Sequence, residues 1–427
     1  MNSKIQKDIN ELVAEQVITE DTASKIVSYY QSKHHDSPNR LFTVFAVLGS
    51  TLVGLGMILI LAHNWDDFSR TTKTIFAFMP LVIGQIIVGY SILKNKNAIW
   101  KEASGVFLFF AVGASIALVS QIYNIPGDLS DYLLTWILLC LPLIYLLRSH
   151  ALVLLQIIFI TSYACSFGYF TEHKTPWLYL VLLASLLPHY YKLLKQKKLH
   201  NITSVLNWLL PLSTVIVIGA FVRGDGNFGF LIYVLLFGLL YNIGKMPFFN
   251  NQKLRRNGYL VLGSLGTIYM LMLTSFKWLW EDIYENRLNF NSQAFYITIV
   301  LFCLTLTVVV YSYSKKWIRD FNLFQYAFLF FIGFFMISLV TMETSVVLIN
   351  LLVLTLGIMA VKIGADTFHF GVLNYGLLII TILIACRFFD TNMSFVLRGL
   401  LFVGVGVGFF LTNYVMLKKQ KTLKRKL

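Results

Sequence analysis

The sequence predicts an all-α, polytopic transmembrane helical bundle of about fourteen spans, with a short cytosolic helical hairpin at its N-terminus. Three observations predict it: an apolar composition, a series of apolar runs of spanning length, and basic residues gathered on one side of those runs. Of 427 residues, 57% are hydrophobic and 13% charged, and the mean hydropathy is +0.71. A water-soluble domain needs about twice that charged fraction for its surface. The runs reach the ~20 residues that a spanning helix needs, and the ~10-residue alternating segments of a membrane barrel are not seen. Helices satisfy their own backbone polar groups, so they are the spanning structure these runs can form.

Apolar runs fall at about 42–63, 74–93, 103–123, 132–148, 151–170, 176–194 and 204–222. They continue at about 228–244, 258–277, 294–314, 322–341, 345–362, 369–387 and 394–417. Two junctions are very short, Arg148-Ser149-His150 and Met342-Glu343-Thr344, and each pair they join is either two full spans or a re-entrant pair. Charge tests the count separately from hydropathy. With fourteen crossings and a cytosolic N-terminus, 27 of the 35 Lys and Arg fall on the inner side. The eight left outside or at outer helix ends are Arg70, Lys73, Lys174, Arg223, Lys277, Arg287, Arg387 and Arg398. One missed span would invert everything after it, so the basic-inside rule places both termini in the cytosol. The same distribution explains the net charge of +15 without nucleic acid, because the basic residues sit in short clusters between runs.

The expected organisation is a cytosolic helical hairpin over 1–40, a transmembrane bundle over 41–417 and a basic cytosolic tail over 418–427. In the hairpin, Ile5, Ile9, Leu12 and Val13, then Ala23, Ile26, Val27 and Tyr30, repeat at helical spacing. Thr19 followed by Glu20 and Asp21 reads as an N-cap with acids at the positive end of the second helix. A pair this small holds no core alone, so residues 4–33 are expected to dock on the bundle, on a second copy as a homo-oligomer, or on a cytosolic partner. The first forty residues are amphipathic and charged, without a secretory apolar region, so insertion falls to the first span. Cys140, Cys165, Cys303 and Cys386 lie in or at the ends of apolar runs without paired spacing, and read as small buried apolar residues.

Two outer motifs carry the densest chemistry. His63-Asn64-Trp65-Asp66-Asp67 ends the first span, and Ser120-Gln121-Ile122-Tyr123, with Gly127-Asp128 beyond it, ends the third. Asp66, Asp67 and Asp128 have the oxygens to hold a divalent ion or a cationic headgroup between two loops. The plainer interpretation makes Trp65 and Tyr123 interface anchors and the acids solvated or capping groups. No Asp or Glu lies mid-span, which disfavours a carboxylate proton relay. Gln85, Gln156, Asn350 and Asn374 are the mid-span polar groups, suited to bonding between helices, and His189 after Pro188 reads as a helix-end residue. Gly49, Gly54 and Gly56, and Gly404, Gly406 and Gly408, mark the first and last spans for tight packing or oligomer contact. Val47-Leu48-Gly49-Ser50 before Trp65-Asp66-Asp67 is echoed by Val261-Leu262-Gly263-Ser264 before Trp280-Glu281-Asp282, as in a parallel duplication.

The hairpin positions Leu12-Val13, Val17-Ile18, Ile26-Val27 and Tyr29-Tyr30, then Asn64-Trp65-Asp66, Gln121-Ile122-Tyr123, Gly127-Asp128, Trp136 and Pro142, are similar to those of bacterial membrane proteins grouped as domain of unknown function 2157. The resemblance covers about residues 5–150. It implies a bacterial inner-membrane location and no particular activity, and it singles out the same two outer motifs. His63 departs from the small residue that the family pattern has before the Asn.

The expectation is a non-enzymatic membrane protein whose outer residues His63, Asn64, Trp65, Asp66, Asp67, Gln121, Tyr123, Gly127 and Asp128 bind or sense a lipid headgroup, an envelope component or a small solute. Its partners would be membrane lipids and not nucleic acid; no catalytic residue, metal ligand or cofactor is assigned. The runner-up is a transporter or lipid flippase without a carboxylate relay. Third is a polyprenyl-dependent membrane transferase with its acid at Asp66-Asp67, for which the loop of about ten residues leaves little room for a donor site.

Overall fold

The computed structural model describes residues 3–34, 65–170, 174–196, 200–222, 228–250, 252–285, 288–317, 321–390 and 395–424. Among these, every regular element is a helix. The chain divides into two compact units, 1–76 and 77–427.

The first unit carries α1 (Ser3–Ala14) and α2 (Glu20–His34). The turn between them places Gln16 at φ 54°, and the Val17 N–H donates to the Leu12 carbonyl at 2.9 Å. Thr19 caps α2 as its position in the sequence indicates, its Oγ1 accepting from Thr22 N at 3.4 Å. Ile9 and Ala23 are buried, whereas Leu12 and Val17 stay exposed. The Asp21–Lys25 ion pair lies on the exposed face and contributes little.

The longer helices that follow are α3 (Arg70–Leu93), α4 (Ala98–Tyr123), α5 (Leu129–Leu147), α6 (His150–Tyr169), α7 (Leu178–Gln196), α8 (Asn201–Val222) and α9 (Gly229–Lys245). Then come α10 (Gly258–Leu273), α11 (Lys277–Glu285), α12 (Gln293–Ser314), α13 (Leu323–Ser338), α14 (Met342–Asp366), α15 (Phe370–Asp390) and α16 (Phe395–Lys424). Helix starts are set by short polar side chains that satisfy otherwise orphaned N–H groups. Asn97 accepts from Trp100 N at 3.1 Å, Ser149 from Leu152 N at 3.2 Å, Asn257 from Leu260 N at 3.1 Å and Ser292 from Phe295 N at 3.3 Å.

Among the described residues, eight helices are long and apolar enough to cross a membrane: α3, α4, α5, α6, α8, α12, α14 and residues 370–387 of α15. Residues 229–244 of α9, together with α10 and α13, form shorter apolar helices. The chain is thus a membrane protein with several apolar helices. Both members of the pair joined at Arg148-Ser149-His150 have spanning length and composition. In the other short-junction pair α14 does, while α13 has 16 residues, about 24 Å of the ~30 Å hydrocarbon layer. The apolar runs at 176–194 and 394–417 fall on α7 and α16, which are not among the eight, and the run at 42–63 lies outside the described residues.

Two apolar cores organise the second unit. One joins α3 to α8 around Phe109, Trp136, Ile137 and Ile160, and the other joins α8 to α15 around Phe328, Phe331, Ile349 and Leu356. Mid-span polar groups hold helices together, as their chemistry requires in lipid. Gln156 Nε2 donates to the Ile137 carbonyl at 3.1 Å, and Asn350 Nδ2 to Val346 O at 2.7 Å and Ser275 O at 3.2 Å. Asn374 Oδ1 accepts from Asn413 Nδ2 at 3.2 Å. A pair that sequence reading did not single out is Asn242 and Gln325: Asn242 Nδ2 donates to Gln325 O at 3.0 Å, and Gln325 Nε2 to Asn242 Oδ1 at 3.3 Å. Of the cysteines, only Cys140 is fully buried; Cys303 is exposed, and Cys165 and Cys386 are half-buried.

Glycine packing differs from expectation. A Cβ at Gly404, Gly406 or Gly408 would meet no atom within 4 Å, so these glycines make no close contact with the described residues. The close approaches are between α9 and α10 and between α14 and α15. A Cβ on Gly244 would lie 2.5 Å from Leu260 N, one on Gly263 2.4 Å from Tyr241 N, and one on Gly364 2.3 Å from Leu373 N. Gly49, Gly54 and Gly56, and with them the Val47–Ser50 part of the suggested duplication, lie outside the described residues.

Candidate functional site: a groove with an acidic end

A groove of about 850 Å³ runs along α3, α4 and α5 in the second unit. This is within the ~300–1,000 Å³ usual for small-molecule sites. Its lateral walls are apolar, including Leu81, Val88, Ile92, Leu108, Val112 and Leu143, and one end is polar, with Ser120, Asp128, Asp131, Tyr132 and Thr135.

The polar end is built by the turn from α4 to α5. Asn124 stops α4 in the left-handed conformation at φ 50°, which asparagine tolerates better than most residues. The Ser120 carbonyl then accepts from Ile125 N at 2.9 Å, and the Ser120 hydroxyl donates back to Ile125 O at 2.9 Å. Pro126 and Gly127 carry the chain to Asp128, which occupies the N-cap position of α5 with extended backbone but makes no side-chain cap hydrogen bond. Its carboxylate is exposed at the groove end, beside exposed Asp131.

The floor is fixed by side chains that reach across helices. Tyr132 OH donates to Gly113 O at 3.1 Å and Trp136 Nε1 to Phe109 O at 2.7 Å, which ties α5 to α4. Trp136 lies so close over Gly113 that a Cβ there would come within 2.2 Å of the indole. Phe159 meets the same ring at a centroid distance of 4.4 Å. Ser115 Oγ donates to Ala77 O at 2.7 Å, and Gly84 admits Leu108, so α4 meets α3 at two levels. Below them, Gly89 lines the groove, and a Cβ there would meet open space.

The sequence-selected residues distribute as follows. Gly127 and Asp128 line the groove end; Gln121 and Tyr123 are exposed on the last turn of α4 and are not groove-lining. Trp65, Asp66 and Asp67 belong to the first unit: Trp65 is half-buried with Lys73 Nζ 5.8 Å from its ring centroid, and both acids are exposed. His63 and Asn64 lie outside the described residues. Among the described residues no three His, Cys, Asp or Glu are placed to hold a metal ion. Sequence reading did not select Asp131 and Tyr132, one helical turn beyond its motif, or Thr135, two turns beyond. Their i+3, i+4 and i+7 spacing from Asp128 was the available signal.

Residues 10–153 match the family described as predicted membrane protein (DUF2157). The matched segment ends inside α6 and takes in all three helices of the groove. No curated protein and no solved structure matches the chain.

Proposed function

We propose that the protein is a non-enzymatic, multi-pass protein of the bacterial inner membrane, with about fourteen spans, that holds a membrane lipid in the α3–α5 groove. The acyl chain lies along the apolar walls, and the headgroup sits at Asp128, Asp131 and Tyr132 on the outer side. The observation that carries this reading is one channel with two chemistries: an apolar length parallel to spanning helices, ending in two exposed carboxylates and a tyrosine. Such an end suits a headgroup bearing an ammonium or several hydroxyls. The basic distribution in the sequence supports cytosolic termini, with residues 1–40 as a cytosolic helical hairpin that docks on a second copy or a partner. The tail from 418 is basic and cytosolic in the same arrangement.

Binding is favoured over transport by the walls. A flippase must carry a polar headgroup along its path, yet the polar groups between the two ends are Gln85 and Ser115, and Ser115 is already bonded to Ala77 O. Trp65, Asp66 and Asp67, with His63 and Asn64, would form a second outer contact for the same class of ligand.

Lipid that co-purifies in mild detergent, quantified by mass spectrometry, tests the proposal. Gly89→Leu puts a side chain into the groove at a position where its Cβ meets no atom within 4 Å, and is expected to reduce bound lipid several-fold while the protein stays folded. Asp128→Asn with Asp131→Asn is expected to change which headgroup is retained. An unchanged lipid complement in both variants contradicts the proposal.

A further inference from the structure

At the opposite end of the same helices lies a second cleft, of about 720 Å³, bounded by α4, α5, α6 and α7. We propose that it binds a tetrahedral phosphate-class oxyanion, held by Lys101, Arg148 and Lys192 beside a histidine cluster.

The cleft lining carries one acid, Glu102. Glu102 accepts from Ser149 Oγ, from His150 N at 2.8 Å and from Ala151 N at 3.0 Å. Its carboxylate is committed to the N-terminus of α6, where backbone N–H groups and the helix dipole offset its charge. The cleft lining holds no other carboxylate, and among the described residues none forms an ion pair with Lys101, Arg148 or Lys192. Three cations therefore share a concave space whose only acid is spent on the fold.

The histidines add donors and no negative charge. His150 Nδ1 and His189 Nε2 are 3.0 Å apart, so one ring donates and the other accepts, and the His200 ring lies 6.4 Å from His150 between centroids. A second, independent feature is Arg148, which ends α5 at φ 53°. That left-handed position is the one glycine fills without strain, and here it carries a long cation at the cleft edge. Arginine matches the oxygens of a phosphate group two at a time.

Basic residues at this end also fit the cytosolic charge bias that sets topology. Topology depends on how many Lys and Arg lie on each side, however, and requires neither the cleft, nor the occupied Glu102, nor a strained Arg148. Phosphate chemistry has two sources here, a free phosphate in the cytosol or a phosphomonoester lipid headgroup.

The test uses the full chain, with inorganic phosphate titrated by calorimetry in detergent, and with nanodiscs of phosphatidylcholine carrying or lacking phosphatidic acid. Arg148→Gly removes the cation and relieves the backbone, so its thermal stability is expected to equal or exceed wild type while anion affinity falls at least roughly tenfold. Lys192→Gln is expected to act in the same direction. Saturable phosphate binding in detergent identifies the soluble source, and binding confined to phosphatidic acid nanodiscs identifies the lipid. Binding of neither probe by wild type overturns the proposal, as does affinity that both substitutions leave unchanged.

Discussion

Trp136 and Gly113 act as one unit. The indole fills the space that a side chain at 113 would need, and its N–H reaches the Phe109 carbonyl. Gly113→Ala forces the ring aside, with an expected cost of about 1–3 kcal/mol. Trp136→Phe loses the hydrogen bond and is expected to cost about 1 kcal/mol. Thermal unfolding in detergent reads both. Asn242 and Gln325 offer a sharper case, because each satisfies the other. Asn242→Leu strands the Gln325 amide, so the double change to Leu should cost less than the sum of the singles, by about 0.6–2 kcal/mol. A strictly additive cycle would deny the coupling. At this scale the sequence was partly legible. Trp136 stood out as a motif residue, and Asp128 as an acid of the second outer motif, grouped with Asp66 and Asp67. Gly113 lies in an ordinary small-residue stretch, and nothing local says that an indole 23 positions later will rest on it.

At the scale of the element, apolar runs read well because lipid imposes both length and polarity on a spanning helix. Thirteen of the fourteen runs fall on described helices, and the caps at Asn97, Ser149, Asn257 and Ser292 use the residue types that start helices generally. Helix contacts read poorly. Glycine spacing pointed to the last span, whereas the backbones meet at Gly244, Gly263 and Gly364. Spacing describes one helix, and close approach belongs to two. Gly263→Val is therefore expected to destabilise the protein by several-fold more than Gly404→Val, since the first meets the Tyr241 backbone and the second meets nothing. Equal effects in a detergent melt would contradict that assignment.

For the whole molecule, sidedness rests on the basic residues, and it is testable in cells. On a cysteine-free background, a cysteine at exposed Tyr123 is expected to react with a membrane-impermeant maleimide from outside, and one at exposed Lys94 only after permeabilisation. The reverse pattern would invert the proposed topology. The groove itself was not legible as a groove. Its walls come from three helices and its acidic end from one turn, and their convergence depends on packing that hydropathy does not encode. Glu102 and the histidines were hidden for a related reason: an acid among basic loop residues looks like noise until the helix it caps is known.

Lipid occupancy of the α3–α5 groove, with the headgroup at the acidic end, leaves a visible signature. A high-resolution structure in nanodiscs of native lipid tests it most directly. The expected result is a continuous chain-like density along Val88, Leu108 and Leu143 that ends in headgroup density against Asp128, Asp131 and Tyr132. A groove closed by the protein's own side chains, or chain density with no headgroup at that end, would contradict it.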